Sequence, residues 1–383
     1  MEGRMAADTH DISRDAFMLG QGRFARRGYD WWWHNFTGHN VRTGEEKTFF
    51  IEFFCVNPAL GGPAPVFGQL PENRAAGVRP SYVMVKAGCW GRGARQLHRF
   101  FGWDEADVAR GIPYCVTCGN CLATETMTCG SVEVATEDAA AHPEWMSDAG
   151  SMAWELDIDK LIAYNVGPGA SKPMRDAESF EMFWHAEGIK TAYKGWVVLD
   201  GERYEVEPAT CYGYADKNWG GDFTSPWVWL ASNDLTSVVT GERLRNSALE
   251  IGGGRPKVGV VALDRKLLGC MNYEGRAYEF NFSKAWTGSQ TEFACHETAD
   301  EVVWHVEQET IEARLVTDVR CRKDEMLLVN YEAPDGAKRH NRLWNGGTGT
   351  GRLQLYRKRP GRLELIDDMD AAHVGCEYGV YDA

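Results

Sequence analysis

Residues 212–229 read Tyr212-Gly213-Tyr214-Ala215-Asp216-Lys217-Asn218-Trp219-Gly220-Gly221-Asp222-Phe223-Thr224-Ser225-Pro226-Trp227-Val228-Trp229. An acid, a base and an amide stand side by side at Asp216, Lys217 and Asn218, with six large aromatics around them. Buried charge is costly unless it is paired and hydrogen-bonded, so such a knot serves either as a lock or as a catalyst. A carboxylic acid in an apolar cavity has its pKa raised and becomes a proton donor near neutrality. A lysine paired directly with it would push the other way. Neighbours on a strand point to opposite faces. Asp216 and Lys217 therefore enter one cavity only if a bulge intervenes, which Gly220-Gly221 would allow.

Outward from this block the periodicity is two rather than 3.6. Thr48 to Val56 is an aromatic run stopped by Asn57-Pro58, a strand and its end. Trp196 to Leu199, Asp200-Gly201 and Arg203 to Val206 read as a hairpin, because Asp-Gly suits a type I′ turn. Met326 to Tyr331, Pro334-Asp335-Gly336 and Arg339 to Trp344 read as another. Tyr278 to Phe282, Val302 to Val306, Ile311 to Val319 and Leu353 to Tyr356 add strands. Helical patterns are few: Asp104 to Arg110, Glu137 to His142 before Pro143, and Asp157 to Ile162. Many short strands with glycine-containing turns predict an all-β chain of sandwiches or barrels. The composition shifts at Gly167 to Pro173, which predicts two units, 1–172 and 173–383, with the Asp-Lys-Asn-Trp-Gly block in the second.

Four other constellations carry candidate chemistry. In Tyr29 to Phe36, Trp31 and Trp33 face one way and Trp32 and His34 the other; one face either lines a cavity or packs as core. His34 beside such a cavity would be an acid or base. His185 and Glu187 share a strand face, a spacing that suits an oriented imidazole–carboxylate pair, a polar pocket wall, or two legs of a metal site. Cys115, Cys118 and Cys121, with Cys129 eight residues on, invite zinc or an iron–sulfur cluster. Their convergence needs a turn at Cys118-Gly119-Asn120, and no second cluster completes a ferredoxin pattern, so strand cysteines without metal are the expectation. Gly252 to Gly254 and Gly346 to Gly351 look superficially like phosphate loops. No Gly-Lys-Ser/Thr follows either, and turns between strands are expected there.

The block at 214–229 closely resembles the signature of the tocopherol cyclase family, Tyr-x-Glu-Lys-Asn-Trp-Gly followed by Phe-Pro and a Trp-x-Trp pair. Here Asp216 replaces the Glu and Thr224 stands where the Pro would be, which moves any proton donor by about one methylene. Tyr29 to Trp33 is similar to the shorter Gly-Trp-Tyr of the family's first strand, and Gly252 to Gly254 resembles a glycine-rich turn of the family. The resemblance implies two lipocalin-like antiparallel β-barrels or sandwiches packed together around a deep aromatic cavity. It also implies chemistry without a cofactor, in which a phenol oxygen adds across a double bond, or the reverse ring opening. Asp216 would donate or organise the proton, with Lys217 and Asn218 orienting it and His34 or His185 as phenol base. Trp31, Trp33, Tyr214, Trp219, Trp227, Trp229 and Glu187 would complete the substrate's surroundings. The expected substrate is apolar and aromatic, a flavonoid or prenylated phenol. The same cavity would equally serve a non-catalytic carrier of a lipid or polyphenol.

Bulk properties exclude some classes. A net charge of −14 over 383 residues argues against nucleic acid and against an anionic membrane surface. No stretch approaches the ~20 apolar residues of a spanning helix, and residues 1–15 carry no apolar run, so a cytoplasmic location is expected. Eleven cysteines, an odd number, do not suggest a disulfide framework. No pattern for NAD, flavin, nucleotide or metal stands out, and none of these is expected.

Overall fold

A computed structural model describes residues 11–20, 22–164, 180–255, 257–258, 261–262, 266–337 and 342–380. Strands dominate, and the α-helices among the described residues, Pro71–Ala76 and Thr136–Ala141, are single short segments. The strands form two large antiparallel sheets of twelve and eleven strands, the all-β architecture expected.

In the first sheet, Tyr29–Asn40 is central, paired along its length with Glu46–Val56, which in turn pairs Tyr82–Cys89. Its other edge is shared: Gly213–Gly220 runs along Tyr29 to Asn35, and Glu202–Val206 takes the end at His39 and Asn40. Both of these strands also pair with the long strand Met182–Leu199. The sheet curls until Arg95–Phe101 comes against Met127–Val134. In the second sheet, Trp227–Ser232 lies between Ala248–Gly254 and Arg362–Gly379. The changeover between sheets falls at 221–226, so the Asp-Lys-Asn-Trp-Gly block belongs to the first sheet. The Gly167 to Pro173 segment expected as a boundary lies outside the described residues.

Alternation along the strands separates three cores. Trp32, Phe36, Phe49, Ile51, Phe53 and Trp219 fill the interior of the first sheet. Val228, Leu230, Leu249, Ile251 and Trp304 fill that of the second. The opposite faces, with Trp33, Phe50, Phe54, Trp184, Trp229 and Tyr331, pack the two sheets against each other. An aromatic side chain buries about 150–250 Å², so this middle layer is a major part of what holds the sheets together.

The Asp200-Gly201 hairpin forms as read, with both residues at positive φ (46° and 83°) as a type I′ turn needs. Two expected helices do not form. Asp157 to Ile162 lies inside the strand Gly150–Tyr164, because Leu156 and Ile158 point inward while Asp157 and Asp159 point out. Asp104 to Arg110 is a 3-10 turn, Trp103–Glu105, followed by the strand Ala106–Val108. The third, before Pro143, forms as Thr136–Ala141.

The glycine runs are strands, not turns: Gly252 to Gly254 end Ala248–Gly254, and Gly346 to Gly351 lie in Leu343–Arg359. The reason is close approach. A Cβ on Gly252 would stand 2.7 Å from the Trp184 ring, and one on Gly347 would stand 2.1 Å from that of Trp90. Cys118 and Cys121 face each other across a tight hairpin, buried in the first core as small apolar residues, and all four cysteines of the motif are free thiols.

Candidate active site

Between the two sheets lies a narrow cleft, about 460 Å³ with its open mouth. The first sheet contributes Trp31, Trp33, Met182 and Asp216. The second contributes Trp227, Trp229, Leu343 and Glu377, and Phe223 and Tyr331 come from connecting segments. Tyr214, Asp216 and Asn218 alternate onto this face of Gly213–Gly220, while Ala215, Lys217 and Trp219 face the first core.

Asp216 is held by its Oδ2, which accepts from the Trp184 indole at 2.8 Å and the Tyr214 hydroxyl at 3.2 Å. Oδ1 has no protein partner. Burial pushes the carboxyl up to about 7, the nearby Glu377 adds to the rise, and the Trp184 and Tyr214 donors restrain it. A group with that pKa is part acid, part carboxylate at neutral pH. Two further carboxyls stand close by. Glu250 accepts from Trp229 at 3.0 Å and lies 3.1 Å from the Tyr214 hydroxyl, whose one hydrogen it shares with Asp216, and burial followed by the Asp216 charge holds its pKa well above the usual range. Glu377 accepts from Trp227 and Asn345, and burial raises its pKa as well. Tyr331 donates to Glu52 at 3.1 Å and accepts from Lys86 at 2.9 Å, and Lys86 pairs Glu52 at 2.7 Å. This buried triad fixes the Tyr331 ring stacked 5.3 Å from Trp31.

The residues named from the sequence divide between two places. Asp216, Trp31, Trp33, Trp227 and Trp229 line the cleft. Tyr214 supports Asp216, and Asn218 accepts the Tyr29 hydroxyl at 2.7 Å on the same face. Lys217 does not join them. No bulge shifts the register between Tyr29–Asn35 and the block, so Lys217 points into the first core. There it forms a fully buried ion pair with Asp30, its ammonium 4.3 Å from the Trp32 ring centre. Burial carries Asp30 up to about 6 against the pull of Lys217. Trp219 packs in the same core, stacked on Phe183.

His34, His185 and Glu187 are also inside the first sheet, away from the cleft. His34 bonds Tyr193 at 2.9 Å, and burial, with Lys160, lowers it to about 3. His185 bonds Asp15 at 2.7 Å, and Glu187 pairs Lys160 at 2.8 Å. Asp15, Glu125 and Glu187 lie close enough to hold a metal, but the Lys160 ammonium is already bonded among them. Burial alone would lower the Lys160 pKa, and the three carboxylates raise it instead. Asp15 belongs to an N-terminal segment that plugs this interior, its carbonyl taking the Trp32 indole and Arg14 reaching the Trp184 carbonyl. Sequence reading missed that plug, and with it the partners that make these groups structural.

It also missed Glu250 and Glu377. Each is an acid at the inward position of an otherwise small or apolar alternation, Ala248-x-Glu250-x-Gly252 and Gly375-x-Glu377-x-Gly379. That signal is visible in the sequence once the strand register is known.

Known proteins resemble this chain. Over 115 residues it is 38% identical to the Oryza sativa subsp. japonica protein described as "Probable tocopherol cyclase, chloroplastic". It is 36% identical over 115 residues to "Tocopherol cyclase, chloroplastic" of Zea mays. The matched stretch is 29% of this chain and spans only about a fifth of each relative's length, 22% and 21%. Among solved structures, a "putative AttH" of Nitrosomonas europaea superposes with a TM-score of 0.50 at 14% identity, over 100% of this chain and 99% of that one, a likeness of fold alone. No helix among the described residues is long and apolar enough to cross a membrane. Residues 146–380, more than half of the chain, match the family described as tocopherol cyclase-like, and the chain belongs to that family.

Proposed function

We propose that the chain is an intramolecular cyclase that closes a ring on an apolar phenol carrying an alkene, or opens it in reverse, with Asp216 as the acid. The observation that carries the reading is a single carboxyl, poised near pH 7, with one oxygen unclaimed at the wall of a tryptophan-lined cleft. In the forward sense Asp216 gives its proton to one alkene carbon, and the other carbon becomes a cation. The faces of Trp31, Trp33, Trp227 and Trp229 suit a cation, since aromatic rings present negative charge on their faces. The phenol oxygen bonds to the cationic carbon, and its proton returns to the Asp216 carboxylate. The product has the mass of the substrate. Holding chain and ring in a reactive shape can lower the barrier by about 7–11 kcal/mol, which is the work of the aromatic walls.

The phenol base expected at His34 or His185 is not required in this scheme, because Asp216 recovers the proton itself. Glu377 acts on Asp216 through its charge, keeping the acid form populated at neutral pH. Lys217 locks the strand to Asp30 and takes no part in the chemistry. The test is incubation of the purified protein with prenylated hydroquinones and open-chain phenolic enones, followed by chromatography and mass spectrometry. A product of unchanged mass and altered retention, absent with Asp216→Asn, supports the cyclase. Binding without product across both sets would replace the reading with that of a carrier.

A further inference from the structure

Tyr214 bridges two acids. Its hydroxyl lies 3.2 Å from Asp216 Oδ2, on its own strand, and 3.1 Å from Glu250 Oε1, on a strand of the second sheet. A phenol hydroxyl has one hydrogen to give, so only one of the two carboxyls can take it. The other contact is a hydrogen bond only where that carboxyl is itself an acid and donates to the Tyr214 oxygen. The geometry therefore admits two directions for one chain: Glu250 to Tyr214 to Asp216, or Asp216 to Tyr214 to Glu250.

The surroundings choose between them. Glu250 is fully buried, and its Oε2 has no protein partner. Asp216, Tyr214 and Trp229 act on it, and it acts in turn on Tyr164 and Cys270; none of these groups is a cation. An unpaired carboxylate in such a place is costly, so Glu250 keeps its proton more firmly than Asp216 does. The chain then runs from Glu250 towards Asp216. In that direction Oδ2 accepts from both Trp184 and Tyr214, and the hydrogen of Asp216 is left for Oδ1, the oxygen with no protein partner. In the opposite direction the hydrogen would sit on Oδ2, bonded to Tyr214 and turned from the cleft.

We infer that Glu250, held as the acid, aims the proton of Asp216: Glu250 donates to Tyr214, Tyr214 donates to Oδ2, and the reactive hydrogen stays on Oδ1 at the cleft wall. As Asp216 gives up that hydrogen, its negative charge forms where two donors already point. This rests on the proposed cyclase reading for what the proton does, but the chain of hydrogen bonds is its own claim. Glu250 is a positioning residue; it acts through Tyr214 and does not line the cleft.

The test needs no turnover. In Glu250→Gln the amide oxygen keeps the Trp229 bond and takes the Tyr214 hydrogen, so Asp216 loses a donor while no charge is removed. The titration of Asp216 is followed by infrared spectroscopy of the full chain labelled with ¹³C at the aspartate carboxyls, its band being the one that Asp216→Asn removes. The midpoint should move up from about 7 by about one pH unit, the loss of one hydrogen bond to a charged group. Were Glu250 a carboxylate, the neutral amide would remove a negative charge beside Asp216, and the midpoint would fall. A fall, or no shift, overturns the inference. Because Glu250→Gln could fail to fold, Tyr214→Phe gives a second reading of the same sign. The midpoint rises if Tyr214 donates to Asp216 and falls if it accepts from it, and the fall overturns the inference. In activity, Glu250→Gln should lower kcat about tenfold with KM within threefold, and the break in the pH profile should move up with the infrared midpoint. Upward shifts without any cyclisation by the native protein leave the hydrogen-bond chain standing and remove the cyclase reading. Cyclisation that needs Asp216 but is indifferent to Glu250→Gln overturns the aiming role and leaves the cyclase reading in place.

Discussion

Asp216→Asn separates chemistry from architecture because the amide can keep every bond the carboxyl makes. Its oxygen can take the place of Oδ2 and accept from Trp184 and Tyr214 as before. Its NH2 then stands where Oδ1 has no partner, so nothing already satisfied is lost. What disappears is the transferable proton. General acid catalysis contributes about 10²–10⁴ in rate, so kcat should fall by that factor, roughly 3–5 kcal/mol of barrier. Affinity for a non-reacting analogue should stay within about threefold. The native rate should be flat at low pH and drop tenfold per pH unit above about 7, where the acid form is lost. In D2O the product should gain one deuterium at the former alkene carbon. Stability gives an independent check. A carboxyl whose folded pKa is raised from 3.8 to about 7 holds its proton more tightly in the native state than in the unfolded one. Native stability is therefore lost as pH rises from about 4 to 7, by up to about 4 kcal/mol. The amide of the Asp216→Asn variant carries no such penalty, so the variant should gain on the native protein in urea denaturation at pH 8 relative to pH 4. A variant with kcat within threefold of native, or a native profile without a break near pH 7, would refute the assignment of Asp216 as the acid.

Other perturbations test the surrounding architecture. Lys217→Met strands Asp30 in the first core and should cost about 3–5 kcal/mol in chemical denaturation, whereas Lys217→Met with Asp30→Leu should recover most of it. Any of these variants that folds should retain kcat, which activity measured well below its melting temperature will check. Gly252→Ala puts a methyl 2.7 Å from the Trp184 ring, whose indole is tied to Asp216, and should cost about 1–3 kcal/mol by thermal melting while also lowering kcat. His373 links the sheets, bonding Asp234 at 2.8 Å and Glu46 at 2.6 Å. Burial opposes its charge, but Asp234 and Glu46 raise its pKa to about 9. The folded pKa lies above the unfolded 6.5, so its contribution is complete below about pH 6.5 and lost as pH rises through 9. His373→Gln should flatten the pH dependence of denaturation midpoints between about 7 and 10.

Strand content, the Asp-Gly hairpin and the faces of Tyr29 to Phe36 and Gly213 to Gly220 were legible in the chain itself, because side chains on a strand alternate without reference to anything distant. That rule alone already set Asp216 against Lys217, and the unbroken register bears out the opposition. What faces what was not legible. Lys217 meets Asp30 from 187 positions away, His185 meets Asp15 from 170 away, and Glu377 reaches Asp216 only when the second sheet closes on the first. A periodicity of two says which residues share a side, not whether that side encloses a plugged interior or an open cleft between sheets. The same limit misplaced the glycine runs: only the facing indoles of Trp184 and Trp90 show why those strands carry no side chains there. The sequence by itself determined most of the strands and their two faces, and set Asp216 on one face and Lys217 on the other. The tertiary structure decided which face became the cleft, because pKa and reactivity follow from burial and neighbours that strand pairing across the whole chain brings together.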